Sequence, residues 1–170
     1  MGRIAAGVSA GAALLGAIGA AACAQPLERT GLATVTRVVD GDTIDIRIAG
    51  REERVRLIGI DTPETRKPNS PIECYGPEAS AFTAALLPVG TQVRIERDTV
   101  GRDDYGRLLG YVHLVDATGR PTTFVNLEIV RTGHATPLSI GPNDTFAGDF
   151  AAAARAAEAA DLGLWSACST

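Results

Sequence analysis

Between Thr34 and Val115 the chain carries five short strand-like runs, with one helical segment after the third, and this order limits the fold more than any other feature. Thr34 to Val39 is β-branched at Val35, Val38 and Val39, and Asp40-Gly41-Asp42 is a turn signal. Thr43 to Ile48 then alternates, with Ile44, Ile46 and Ile48 on one face and Asp45 and Arg47 on the other, which completes a hairpin. Arg54 to Ile60 predicts a third strand, with Arg54 and Arg56 opposite Val55 and Leu57. Breakers crowd the loop Thr65 to Cys74, in Lys67-Pro68-Asn69-Ser70-Pro71. Gly76-Pro77-Glu78 opens a helix whose Ala79, Phe82 and Leu86 recur at helical spacing until Pro88. Gln92 to Arg97 and Leu108 to Val115 are the last two strands. A second helix is expected from about Thr123 to Thr132, stopped by Gly133. A third runs from Thr145 to about Leu162, capped by Asn143 or Asp144, with Phe146 and Phe150 one turn apart and Gly163 ending it.

The order predicts an α+β domain, mainly β: a five-stranded OB-fold barrel with three helices. Another small α+β domain is the alternative, since strand order cannot be read from a sequence. With 170 residues, 45% of them hydrophobic, the chain has one core's worth of material.

The N-terminus is different in kind. A short basic start, Met1 to Arg3, precedes the small, apolar run Ile4 to Ala22, and no charge falls between Ala5 and Gln25. This pattern predicts a secretory signal over residues 1–24, a short linker over 25–31, and the folded domain over 32–170. Cleavage after Ala24 fits a small-x-small site, whereas Ala20-Ala21-Ala22-Cys23 is a weak lipoprotein box that would put a lipid on Cys23. A retained membrane anchor is the bland alternative, disfavoured by Ala and Gly standing where Leu, Ile and Phe hold a helix in lipid. The protein is thus expected to be secreted, or a cell-surface lipoprotein touching the membrane only through that lipid. In an oxidising compartment the two remaining cysteines, Cys74 and Cys168, are expected to form a disulfide, unless they are unrelated thiols. No CxxC pair exists and the two histidines are far apart, which argues against zinc.

Three clusters carry chemistry: Asp40-Gly41-Asp42-Thr43, Arg56 through Glu64, and Asp103-Asp104-Tyr105-Gly106-Arg107. Asp42 and Asp61 sit at strand ends that meet in a meander, and two carboxylates with a carbonyl and waters suit a loose Ca²⁺ site. Taken alone, Asp40-Gly41-Asp42 is a plain turn. Glu64, just after Pro63, reads either as a carboxylate that orients or deprotonates water or as a solvated loop acid. Arg56 and Arg107 are either two guanidinium forks for a phosphodiester or surface residues of a strand and a turn. The net charge of −4 opposes a generally basic surface and argues for a local cationic site. Of the 16 basic residues only Lys67 is a lysine, and arginine suits bidentate phosphate contacts.

Taken together, Asp-Gly-Asp-Thr, Arg-x4-Asp-Thr-Pro-Glu-Thr, Gly-Pro-Glu-Ala-Ser-Ala-Phe, Asp-x-Tyr-Gly-Arg and Gly-Leu-Trp resemble the thermonuclease family, the staphylococcal (micrococcal) nuclease-like domains, over about Leu32 to Trp165. The resemblance implies Ca²⁺ held by Asp42, Asp61 and the backbone carbonyl of Thr62, with Asp40 nearby. It implies Glu64 as the water-activating or water-orienting carboxylate, Arg56 and Arg107 on the scissile phosphate, and Tyr105 beside the terminal phosphate. It further implies hydrolysis of DNA and RNA with loss of the 5′ oxygen and a 3′-phosphate product. No protein partner is indicated by the sequence, and a monomer is the default expectation. The chain departs from the family's best-known members at Asp104, where they carry lysine, and at Leu138 and Ile140, where they carry tyrosines. Those changes bear on affinity and substrate preference. The alternatives are a non-catalytic OB-fold module that binds single strands, and a secreted interaction lipoprotein. Neither accounts for the full set of carboxylates and arginines. His113 and His134 have no part in the scheme.

Overall fold

The computed structural model describes residues 1–2, 30–65 and 71–168. The expected signal with its cleavage or lipidation site, most of the 25–31 linker, and Lys67 lie outside the described residues. The elements run β1(Thr30–Asp40), β2(Thr43–Ile48), β3(Arg51–Leu57), β4(Gly59–Asp61), α1(Gly76–Leu86), β5(Gln92–Glu96), β6(Leu108–Val115), β7(Pro121–Phe124), α2(Val125–Arg131), β8(Thr136–Leu138), α3(Ala147–Ala159) and α4(Leu164–Ala167).

Five strands close into the expected OB-fold barrel. They lie in the order β3-β2-β1-β5-β6, and β3 meets β6 in parallel, with Val55 opposite Leu108 and Leu57 opposite Gly110. Closure leaves no open edge among these five. β1 is long because it serves two neighbours, pairing with β5 through Thr30 to Thr34 and with β2 through Ala33 to Asp40. Two register shifts along its β2 side bend it around the barrel. The alternation read from the sequence is realised in β2: Ile44 and Ile46 are fully buried, while Asp45 on the outer face pairs with Arg37 and Arg54. Burying each such isoleucine stabilises the fold by roughly 2–3 kcal/mol.

Three expectations about element boundaries need correction. The third strand does not run unbroken to Ile60: it breaks after Leu57, and Gly59 (φ +82) turns the chain into β4, which pairs with the unexpected strand β8. Buried Asn126 holds this break, donating from Nδ2 to the Ile58 carbonyl (2.9 Å) and accepting at Oδ1 from the Val112 N–H (2.9 Å). The second helix begins at Val125 rather than Thr123, because Pro121 to Phe124 is drawn into the sheet beside β6. The third helix spans only Ala147–Ala159, followed after Gly163 by the one-turn α4, so a fourth short helix joins the expected three. Asn143 does not cap it, because its side chain holds both backbone groups of Val100 instead. Phe146 and Phe150 pack with Phe124 around buried Tyr111, which ties α3 to the barrel wall. Cys74 and Cys168 are bridged (S–S 2.04 Å), joining the loop before α1 to the end of α4.

Candidate active site

The turn between β1 and β2 places two carboxylates by different means. Asp40 and Asp42 are both nearly buried, so each needs partners. Asp40 Oδ1 accepts from the Gly41 N–H (2.9 Å) and from the Thr65 hydroxyl (2.8 Å), pinning the Glu64–Thr65 segment against the turn. Asp42 Oδ2 accepts from the Thr62 N–H and hydroxyl, both at 3.1 Å, while Oδ1 accepts from Thr43 Oγ1 (3.0 Å). Asp42 is therefore docked onto the segment that leaves β4.

Arg56 is the electrostatic centre. Strand alternation sends Val55 and Leu57 into the core and Arg56 to the other face. Its Nη1 lies 2.6 Å from Asp42 Oδ2 and its Nη2 lies 2.8 Å from Asp61 Oδ1, so one guanidinium bridges both acids. Asp61 stands at the rim. The protein packed around it raises its carboxyl above the ordinary range, as do the charges of Asp42 and Glu73, against the opposing pull of Arg56.

Arg107 approaches from the turn before β6. Its Nε donates to Asp103 Oδ2 (2.6 Å), and Asp103 Oδ1 also accepts from the Arg107 backbone N–H (2.9 Å). Burial raises the Asp103 carboxyl, but the Arg107 bonds outweigh it and leave the group below its usual value. The two Nη groups of Arg107 have no hydrogen-bond partner among the described residues. They are thus available to an anion.

One cleft of about 520 Å³ is lined by Asp40, Asp42, Arg56, Asp61, Thr62, Glu64 and Arg107 together. Tyr105 is not in it. That ring is 86% exposed, 5.5 Å from the Arg107 guanidinium carbon, and lines the adjoining groove with Asp104, Leu138 and Ile140. His113 stacks on Phe124 in the barrel wall, and His134 stacks on Phe82 under α1; burial lowers the pKa of both. Neither lines the cleft. Sequence reasoning passed over Glu73 and Arg54, which also line it. Glu73 lies across a breaker-rich loop from Glu64, and no periodicity links the two positions. Arg54 was legible only as the outward neighbour of Arg56.

The donor set fits a hard cation. Among the described residues, no three His, Cys, Asp or Glu side chains form a metal cluster. Asp42 and Asp61 nevertheless converge closely enough to share one guanidinium, and Thr62, the residue after Asp61, is tied to Asp42 through its backbone N–H. Two carboxylates, a carbonyl and water form an all-oxygen set of the kind Ca²⁺ takes.

A closed OB-fold barrel with acids and arginines facing one cleft defines a class of small domains equipped to engage phosphate groups. The family model for staphylococcal nuclease homologues matches residues 54–167, and the chain belongs to that family. It is 43% identical to a thermonuclease of Staphylococcus intermedius over 131 residues, covering 77% of this chain and 74% of that protein. Identity to a thermonuclease of Staphylococcus hyicus is 39% over 132 residues, covering 78% and 74%. Identity to endonuclease YncB of Bacillus subtilis (strain 168) is 35% over 134 residues, covering 78% of this chain and 61% of that protein.

Proposed function

We propose that the protein is an exported, calcium-dependent nuclease that hydrolyses phosphodiester bonds of DNA and RNA and leaves 3′-phosphate ends. The observation that carries this reading is the single cleft shared by Asp42, Asp61, Thr62, Glu64, Arg56 and Arg107. The names of its relatives, thermonuclease and endonuclease, point the same way.

In this reading Asp42, Asp61 and the Thr62 carbonyl hold Ca²⁺, with Asp40 fixing the turn beneath them. When bound, the ion supplies Lewis acidity and a template for a phosphoryl oxygen. Arg56 and Arg107 grip the non-bridging oxygens and bind more tightly as negative charge gathers on phosphorus. Glu64 orients the attacking water or takes its proton. Water adds to phosphorus, the 5′ oxygen leaves with a proton, and the phosphate stays on the 3′ oxygen. Tyr105 stands at the rim, where an exposed ring suits contact with the neighbouring nucleotide. Nothing in this scheme reads base edges, so both DNA and RNA qualify.

Export rests on the basic and apolar start of the chain, and the Cys74–Cys168 bridge is consistent with an oxidising compartment. No helix among the described residues is long and apolar enough to cross a membrane. The secreted and Cys23-lipidated forms are separated by the mass of the mature N-terminal peptide.

The test is cleavage of denatured DNA and of RNA by the purified mature protein, with Ca²⁺ and then with a chelator. Calcium-dependent cleavage with 3′-phosphate ends is expected. A folded protein that binds single strands and never cuts them would move the assignment to a binding module.

A further inference from the structure

The acid assigned to water activation lies on a segment whose partners are unusual. The Glu64 N–H donates to the Glu73 carboxylate at Oε2 (3.0 Å), and the Glu73 N–H donates back to the Glu64 carbonyl (3.0 Å). The two limbs of a breaker-rich loop are thereby cross-tied at the site, with a carboxylate as acceptor for one of the two bonds. Glu73 also lines the cleft, beside Asp61 and Thr62.

The limb that carries Glu73 is itself anchored twice. Cys74, the next residue, is bridged to Cys168 at the end of α4. Two residues further on, Gly76 packs against the outgoing limb, where a Cβ would lie 3.1 Å from both the Pro63 and Glu64 carbonyl oxygens. A side chain there would also meet Thr65 Cγ2 at 2.9 Å, so the outgoing limb would have to shift to admit one. The bridge, Asp61, Thr62, Pro63 and Glu73 line one further hollow, so the disulfide abuts the metal-side loop directly.

We infer that Glu73 is a positioning residue for Glu64, and that the Cys74–Cys168 bridge holds Glu73 in place to do it. The inference rests on the proposed role of Glu64, but its structural half can be tested without any turnover. With its N–H held by the Glu73 carboxylate and its carbonyl by the Glu73 N–H, Glu64 has both flanking peptide planes fixed, and with them the direction in which its side chain leaves the chain. The Glu64 carboxylate is thus aimed from behind, through its own backbone, by a carboxylate bonded to the Glu64 N–H.

The experiment uses the mature, oxidised protein, with Glu73→Ala, Glu73→Gln and the Cys74→Ser/Cys168→Ser pair. Amide hydrogen exchange at Glu64 is the structural readout. Exchange in Glu73→Ala and in the double serine variant should be faster by about tenfold or more, the worth of one charge-assisted bond. Glu73→Gln keeps an acceptor oxygen and should protect the amide nearly as the parent does. For turnover at saturating calcium, Glu73→Ala should lower kcat by about tenfold while leaving KM unchanged, with Glu73→Gln restoring most of it. In a Glu64→Gln background the same substitution should cost nothing further. Equal protection of the Glu64 amide in the parent and in Glu73→Ala would overturn the inference. So would a Glu73→Ala loss that persists undiminished in the Glu64→Gln background, or one that appears in KM and melting temperature alone. If the parent cuts no nucleic acid, the proposed function fails instead, and the amide readout still decides the clamp.

Discussion

Replacing Asn126 by alanine should damage the fold more than any exposed substitution near the cleft. Its side chain is fully buried and bonds three backbone groups: the Val112 N–H, the Ile58 carbonyl, and, at 3.4 Å, the Gly110 carbonyl. The Gly110 carbonyl keeps a second donor, the Ile58 N–H at 3.2 Å, so two groups are truly orphaned. A buried polar group without a partner costs about 1–3 kcal/mol. Two such groups and the vacated volume together give about 3–5 kcal/mol. Domains of this size are stable by roughly 7–15 kcal/mol, so the variant should fold at room temperature but melt more than about 10 °C below the parent. The single tryptophan, Trp165, packs against the core and reports unfolding in urea by its fluorescence. A loss under about 1 kcal/mol would refute the reasoning, because it would mean that the break between β3 and β4 does not depend on Asn126.

Arg107→Ala should lower kcat by roughly 10²- to 10³-fold with little change in melting temperature, since among the described residues the side chain hydrogen-bonds to Asp103 alone, at a turn; steady-state kinetics and a melt check both. Gly59→Ala should destabilise by more than about 2 kcal/mol in urea, because φ is +82 there and the new methyl would meet the Phe150 ring. At Asp98, burial raises the carboxyl, but bonds from the Tyr111 hydroxyl and from Thr145 and Thr99 outweigh it and leave it below its usual value. Its contribution is therefore complete above the unfolded pKa, about 4, and is lost as the pH falls through the depressed value. Urea midpoints taken across pH 2–6 should fall less steeply on the acid side in Asp98→Asn than in the parent.

Much of this architecture was legible because its signals are local. Ile44, Ile46, Val55 and Leu57 alternate with polar residues at a strand's period, and all four are buried in the barrel. The cleft was legible for another reason. Asp42, Asp61 and Arg56 sit at strand ends, where a meander has to bring them together. Features set by tertiary contacts were not. Nothing local marks Thr136 to Leu138 as a strand, because its partner is a three-residue run that exists only where Gly59 turns the chain. Asn143 has the composition of a helix cap, yet Val100 claims it from 43 residues away. Tyr105 lies one residue from Gly106 and two from Arg107, but the turn sends its ring to the neighbouring groove rather than to the cleft. Glu73 could be suspected only through Cys74, whose expected bridge marks that limb as fixed.

The central claim is that one cleft both holds calcium and performs the hydrolysis, and Glu64→Gln separates the two functions. The decisive measurement is a calcium titration of the parent and this variant, following melting temperature and hydrolysis of denatured DNA in the same samples. Both proteins should be stabilised by Ca²⁺ to a similar degree, since Glu64 is not among the assigned ligands. The variant should cut at least about 10²-fold more slowly than the parent, and neither should cut without calcium. A variant that cuts at the parent's rate, or a parent whose cutting ignores calcium, would contradict the account.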